Sequence, residues 1–140
     1  MSFGLLSVLG LFPVGLETFR NASDKTVSSQ IAQRLLGEAQ QTDFTQLTAT
    51  PLAQTFQYRY FDDQGNETAS SSAVYRTNLS VNAGTSLPGA TPNPNLATVY
   101  LQVANNPGNR VLAMTGSNNA WAKTPGVPMS CYALNVASNN

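Results

Sequence analysis

The 140-residue sequence contains no histidine. That removes the commonest general base, most zinc-binding arrangements and the usual serine triad. It contains one cysteine, Cys131, so no internal disulfide can form and the fold is not a disulfide framework. A lone cysteine of this kind is expected to be a small buried apolar residue, the other reading being an intermolecular or reactive thiol. Charge is scarce too: seven basic and seven acidic side chains cancel to a net charge of zero. No basic patch stands along the chain, which sets aside nucleic acid as a partner. The Gly-x-Ser-x-Gly elbow, the phosphate loop and the dinucleotide fingerprint are missing. No catalytic residue, no metal and no cofactor is therefore expected. The only clustered carboxylates, Asp62, Asp63 and Glu67, do not have the spacing of an EF-hand loop and read as a solvated hairpin turn.

In place of charge the chain carries amides and hydroxyls. Ser, Thr, Asn and Gln fill fifty of the 140 positions, a composition that fits an exported or surface protein better than a cytosolic enzyme. Polarity is unevenly spread. From Phe3 to Leu16 there is no charge, and Glu17 is the first. In helical projection Leu5, Leu6, Val8, Leu9, Leu11 and Phe12 surround the axis instead of forming one stripe. A helix apolar all round belongs in a large core or a membrane, and a domain this small could hardly wrap it. The run is shorter than the roughly 18–20 residues that span a bilayer. It reads as the second half of such a helix, its first half lying upstream of Met1. A secretory signal would begin with a basic segment and end at a small-residue cleavage site, and neither is present.

The pattern predicts one helix from about Ser2 to Gln41, kinked or locally broken near Pro13, which lacks a backbone donor and is flanked by Gly10 and Gly15. Beyond the kink Leu16, Val27, Ile31, Leu35 and Ala39 form a stem stripe suited to lie on a sheet, with Arg34 and Glu38 pairing on the opposite side. Phe44 and Leu47 are expected to tuck the descending linker against the core. From there the chain reads as β. Thr55 to Phe61 alternates, with Phe56, Tyr58 and Tyr60 on one face and Gln57 and Arg59 on the other. A turn over Asp62–Glu67 uses Gly65 for a positive φ. Ala73 to Val81 returns with Tyr75, Leu79 and Val81 inward, and Ala97 to Val103 has Val99, Leu101 and Val103 inward. After a turn at Asn105–Asn109, Arg110 to Thr115 is expected to pair back onto that strand, with Met129 to Val136 as a last strand or tail. Gly84–Asn95 and Gly116–Pro128 read as outward-facing loops. The expected class is α+β: residues 1–41 a helical anchor, and residues 42–140 an antiparallel β-rich globular domain with long loops. Tyr58, Tyr60, Tyr75, Tyr100 and Trp121 could instead line a sugar-binding face, although alternating aromatics are more often core and cross-strand pairs.

Two segments carry a family likeness. Leu-Leu-Ser-Val-Leu-Gly-Leu-Phe-Pro-Val-Gly-Leu-Glu-Thr-Phe-Arg (Leu5 to Arg20) and Ser-Gln-Ile-Ala-Gln-Arg-Leu-Leu-Gly-Glu-Ala-Gln-Gln-Thr-Asp-Phe (Ser29 to Phe44) resemble the Verru_Chthon cassette protein B family. Tyr-Phe-Asp-Asp-Gln-Gly (Tyr60 to Gly65) resembles that family's next motif. These are pilin-like proteins encoded in multi-gene cassettes of verrucomicrobial bacteria, and the wider resemblance is to type IV pilins and type II secretion pseudopilins. The resemblance implies a structural subunit of the bacterial cell envelope, not an enzyme. Its N-terminal helix would sit in the inner membrane before assembly and pack against other pilin-like subunits in a filament afterwards. Leu5, Leu6, Leu9, Leu11 and Phe12 would then be the membrane and helix-packing residues, and Pro13 the kink. A basic leader, a Gly-Phe-type cleavage site and an early glutamate, usual in such proteins, do not stand in this sequence, so no cleavage-site residue is carried over. The alternative from another class is a secreted β-rich binding module, with carbohydrate as the candidate ligand, using Tyr100 or Trp121 without filament assembly.

Overall fold

A computed structural model of the chain describes residues 3–48, 58–84, 89, 91–115 and 120–138, with the side chains of those beyond residue 14. Helix α1 (Phe3–Gln41) is followed by the short α2 (Phe44–Thr48) and strands β1 (Tyr58–Phe61), β2 (Tyr75–Ala83), β3 (Leu96–Asn105), β4 (Met114–Thr115), β5 (Ala120–Trp121) and β6 (Met129–Ala137). α1 is continuous through Pro13, so the local break expected there does not occur. The proline withdraws one donor from the ladder without ending the helix. The C-terminal end is satisfied locally: Thr42 donates both its N–H and its hydroxyl to the carbonyl of Glu38, at 3.1 and 2.8 Å.

Four strands form one antiparallel sheet in the order β1-β2-β3-β6, and β4 and β5 form a separate two-stranded ribbon. The register (Leu79 opposite Leu101, Leu101 opposite Tyr132) and the period-two pleat sort side chains onto two faces. The helix face carries Phe61, Tyr75, Leu79, Val99, Leu101 and Val103, all buried together with Ile31, Ala32, Leu35 and Ala39 of α1 and Leu47 of α2. Burying apolar surface at about 25 cal/mol per Å² is what fastens helix to sheet. Long helix, antiparallel sheet and α+β class are thus observed, as are the inward sets of β2 and β3. Ala32 and Ser28, small and buried, let the helix lie close to the sheet.

Several local expectations are corrected. Arg110 to Thr115 does not pair with β3: only Met114 and Thr115 become strand, and they pair with Trp121 and Ala120. The edge of β3 is taken by β6, nine residues long, whose Tyr132, Leu134 and Val136 extend the apolar helix face. The Arg110–Thr115 segment has less apolar surface to bury there, and Val111 stays 92% exposed. The loop Gly116–Pro128 does not simply face outward, since Trp121 and Val127 are buried beneath it. Residues 116–119 lie outside the described residues, as do Phe56, Gln57 and the start of the strand expected from Thr55. Cys131 is exposed, not buried, because it lies on the outer face of the edge strand β6. Of the two linker residues, Leu47 is buried in the core and Phe44 is half-buried.

Candidate functional site: an outstretched helix and a fastened sheet

α1 is far longer than the sheet it covers. Its 39 residues extend about 58 Å at 1.5 Å per residue, whereas a nine-residue strand spans about 30 Å. Ile31, Leu35 and Ala39 of the predicted stripe are buried and Val27 packs on them half-buried. Leu16 is 55% exposed, which corrects its place in the buried stem. It lies about 20° around the axis from Val27 yet about 16 Å further along it, where the sheet has ended. Phe19, one turn on and 72% exposed, was not singled out from the sequence. Its position off the stem stripe hid it, although an aromatic amid Thr, Arg and Asn was the available signal. Residues 15–23 are exposed throughout. The side chains of Leu5, Leu6, Leu9, Leu11, Phe12 and Pro13 lie outside the described ones. Among the described residues no helix is long and apolar enough to cross a membrane.

The boundary between the covered and bare parts of α1 is marked by Asp24, whose Oδ1 accepts the Tyr75 hydroxyl at 2.9 Å. Burial, and then that carboxylate, push the Tyr75 phenol well above its ordinary range. At the other end of the packed half, Arg59 donates to Glu38 of α1 and, at 3.0 and 2.7 Å, to both carboxylate oxygens of Glu67. Arg34 therefore joins Glu38 (3.4 Å) inside a four-residue network at the margin of helix and sheet, not on a solvent face opposite the stripe. The guanidinium of Arg59 is held protonated even more firmly than usual, chiefly by Glu67, and its hydrogen bonds in turn lower the Glu67 pKa. The alternation Tyr58/Arg59/Tyr60 was legible in the sequence, but it is Arg59, not the tyrosines, that shares the helix face.

The turn Asp62–Glu67 is a folding device. The Asp62 carboxylate accepts the N–H groups of Gln64 (2.9 Å) and Asn66 (2.8 Å), and these bonds, that of Asn66 first, lower its pKa. Gly65 has φ of 84°, and a Cβ there would meet Val27 and Ile31 at 3.6 and 3.7 Å. The turn thus sits against the helix. Among the described residues no group of three His, Cys, Asp or Glu side chains could hold a metal ion.

Part of the opposite face of the sheet is covered by residues 112–115 and 120–127. Leu112, Trp121 and Val127 are buried against Ala104, with Tyr58 and Met129 alongside. Gln102 fastens this flap in the manner of a strand: its Oε1 accepts the Trp121 N–H at 2.7 Å and its Nε2 donates to the Trp121 carbonyl at 3.1 Å. Trp121 stacks on Tyr58 (centroids 6.0 Å apart, planes at 16°), and the Arg76 guanidinium lies 5.1–5.5 Å from the rings of Tyr58, Tyr60 and Trp121. Those ring faces stand where hydrogen-bond acceptors are lacking, since Arg76 Nε is buried without a partner. No known family, curated protein or solved structure matches this chain. Of the aromatics that could have formed a sugar face, Tyr75 and Trp121 are buried and Tyr58 and Tyr60 stack with Arg76. Tyr100, 41% exposed, stands beside a shallow hollow shared with Ser80, Gln102, Ala120 and Cys131.

Proposed function

We propose that the chain is a pilin-like or pseudopilin-like structural subunit of a bacterial cell-envelope filament or secretion apparatus, and not an enzyme. It assembles with other pilin-like subunits through its N-terminal helix, which is held in the inner membrane beforehand. The observation that carries the reading is the division of α1. Thirteen residues, Val27 to Ala39, suffice to close the core, yet the helix continues well past the sheet with Leu16 and Phe19 bare. Exposed apolar side chains on an outstretched helix are what helix-to-helix assembly or lipid contact requires, and the apolar run from Leu5 to Phe12 continues the same helix. The family likeness of Leu5–Arg20 supports the same reading. Leu9→Arg is expected to abolish membrane association of the full-length protein while its β-domain stays folded, as read by membrane fractionation and circular dichroism. Unchanged fractionation with detergent-soluble membranes would overturn the anchor. The carbohydrate-binding alternative is weakened at one of its two residues, because the ring of Trp121 is engaged by Tyr58 and Arg76 and its main chain by Gln102.

A further inference from the structure

The two edges of the sheet are treated differently. Among the described residues β1 spans four, and the returning chain bridges Phe61 to Glu67 and donates the Thr68 N–H to the Tyr60 carbonyl. β6 is nine residues long, and among the described residues no strand pairs with its far side. Natural edges are blunted by charge, proline, bulges or shortness. Met-Ser-Cys-Tyr-Ala-Leu-Asn-Val-Ala (Met129 to Ala137) has no charge and no proline, and its pairing with β3 runs without a bulge.

The phase of the hydrogen bonds decides which groups that edge offers. Asn105 donates to the carbonyl of Pro128 and Ser138 donates to that of Asn95. Antiparallel pairs alternate between hydrogen-bonded and non-hydrogen-bonded, so even-numbered residues of β6 bond inward to β3. The main-chain N–H and C=O groups of Met129, Cys131, Ala133, Asn135 and Ala137 therefore point out of the sheet.

We infer that β6 is a pairing edge for the β6 of a second copy of this chain, antiparallel about a two-fold axis at Ala133. With the axis there the strands overlap fully. Ala133 meets Ala133 of the other copy, Cys131 meets Asn135, and Met129 meets Ala137, so every outward group faces an outward group. The interface is isologous, as a two-fold requires, and neither strand brings a charge to repel its twin. One of the two alanines of the outward set stands on the axis. Tyr132, Leu134 and Val136 are only half-buried, unlike Val99, Leu101 and Val103 at 0–1% exposure, and gain cover from the added strand. The pairing joins globular domains side by side and does not depend on the helix-driven assembly proposed above.

The test is site-directed disulfide formation in the full chain. Facing residues of a hydrogen-bonded antiparallel pair have Cα atoms about 5.5 Å apart, inside the roughly 4.4–6.8 Å range that a disulfide bridges. The double variant Cys131→Ser/Ala133→Cys is expected to form a covalent dimer under mild oxidation, whereas Cys131→Ser/Asn135→Cys remains reduced. Ala133→Pro removes one outward donor and no bond to β3, and Ala133→Lys sets two ammonium groups face to face. Both are expected to lose the dimer in sedimentation while keeping the parent's thermal unfolding. Should the proline variant fail to fold, the lysine variant carries the test. Equal cross-linking at positions 133 and 135, or none at 133, overturns the inference. So does loss of the Ala133→Cys cross-link on adding Phe19→Asp, which would assign the association to the helix.

Discussion

Leu16 and Val27 lie on nearly the same side of one helix, and their fates differ. Val27 packs on the core with Ile31, and Leu16 is more than half exposed. Between them lies no glycine or proline, and α1 is unbroken from Phe3 to Gln41. The difference is the sheet beneath, which reaches the packed half and stops. Periodicity specifies which side of a helix is apolar. It does not specify whether the molecule has anything to lay against that side. In the packed half the apolar stripe is a stability device, and in the outstretched half Leu16 and Phe19 stand bare.

Mutations can break that contrast. Leu35→Ala, at 2% exposure, is expected to destabilise the fold by about 2–5 kcal/mol, through lost transfer energy and the cavity left between α1 and the sheet. Urea unfolding measures it, and a loss below that range would mean that the helix is not fastened where its burial places it. A smaller effect belongs to the ionic fastening of the packed half. Hydrogen bonds from Arg59 hold the Glu67 carboxyl below its ordinary value of 4.5. The unfolded chain therefore binds the proton more readily. The stability that Glu67 contributes is complete above the ordinary value and lost as the pH falls through the lower folded-state value. Glu67 is nearly half exposed, so the contribution is at most about 1 kcal/mol. Glu67→Gln should flatten the acid side of a plot of melting temperature against pH, and an unaltered slope would show the pair to be idle. Smallest of all, Leu16→Ala should change stability by no more than about 0.5 kcal/mol, since it removes no buried contact. A loss comparable to that of Leu35→Ala would mean that the outstretched half packs on its own domain.

The helix face of the sheet was legible because its signals are local. Val99, Leu101 and Val103 alternate cleanly, and Ile31, Leu35 and Ala39 recur at helical spacing, so inward and outward follow from counting. The outer face was not legible in this way. Gln102, Arg76, Leu112 and Val127 have no period in common. They meet only because the segment after β3 folds back over the sheet, and an amide imitates strand pairing across a sequence separation of 19 residues. The exposure of Cys131 has a related cause. A small apolar residue on a strand is buried if something covers its face, and the flap leaves that part of β6 open.

What the sequence determined by itself is the order and character of the elements. An apolar helical start runs into an amphipathic stem, turns are placed by Asp62–Gly65 and Asn106–Asn109, and strands alternate between them, all of which follow from short-range sterics and periodicity. Only the tertiary structure decided where the sheet ends along the helix, that β6 and not Arg110–Thr115 takes the edge of β3, and that Trp121 is a fastening instead of a surface. Those outcomes depend on competition between segments distant in the chain for a limited apolar surface. No local pattern records which competitor buries more.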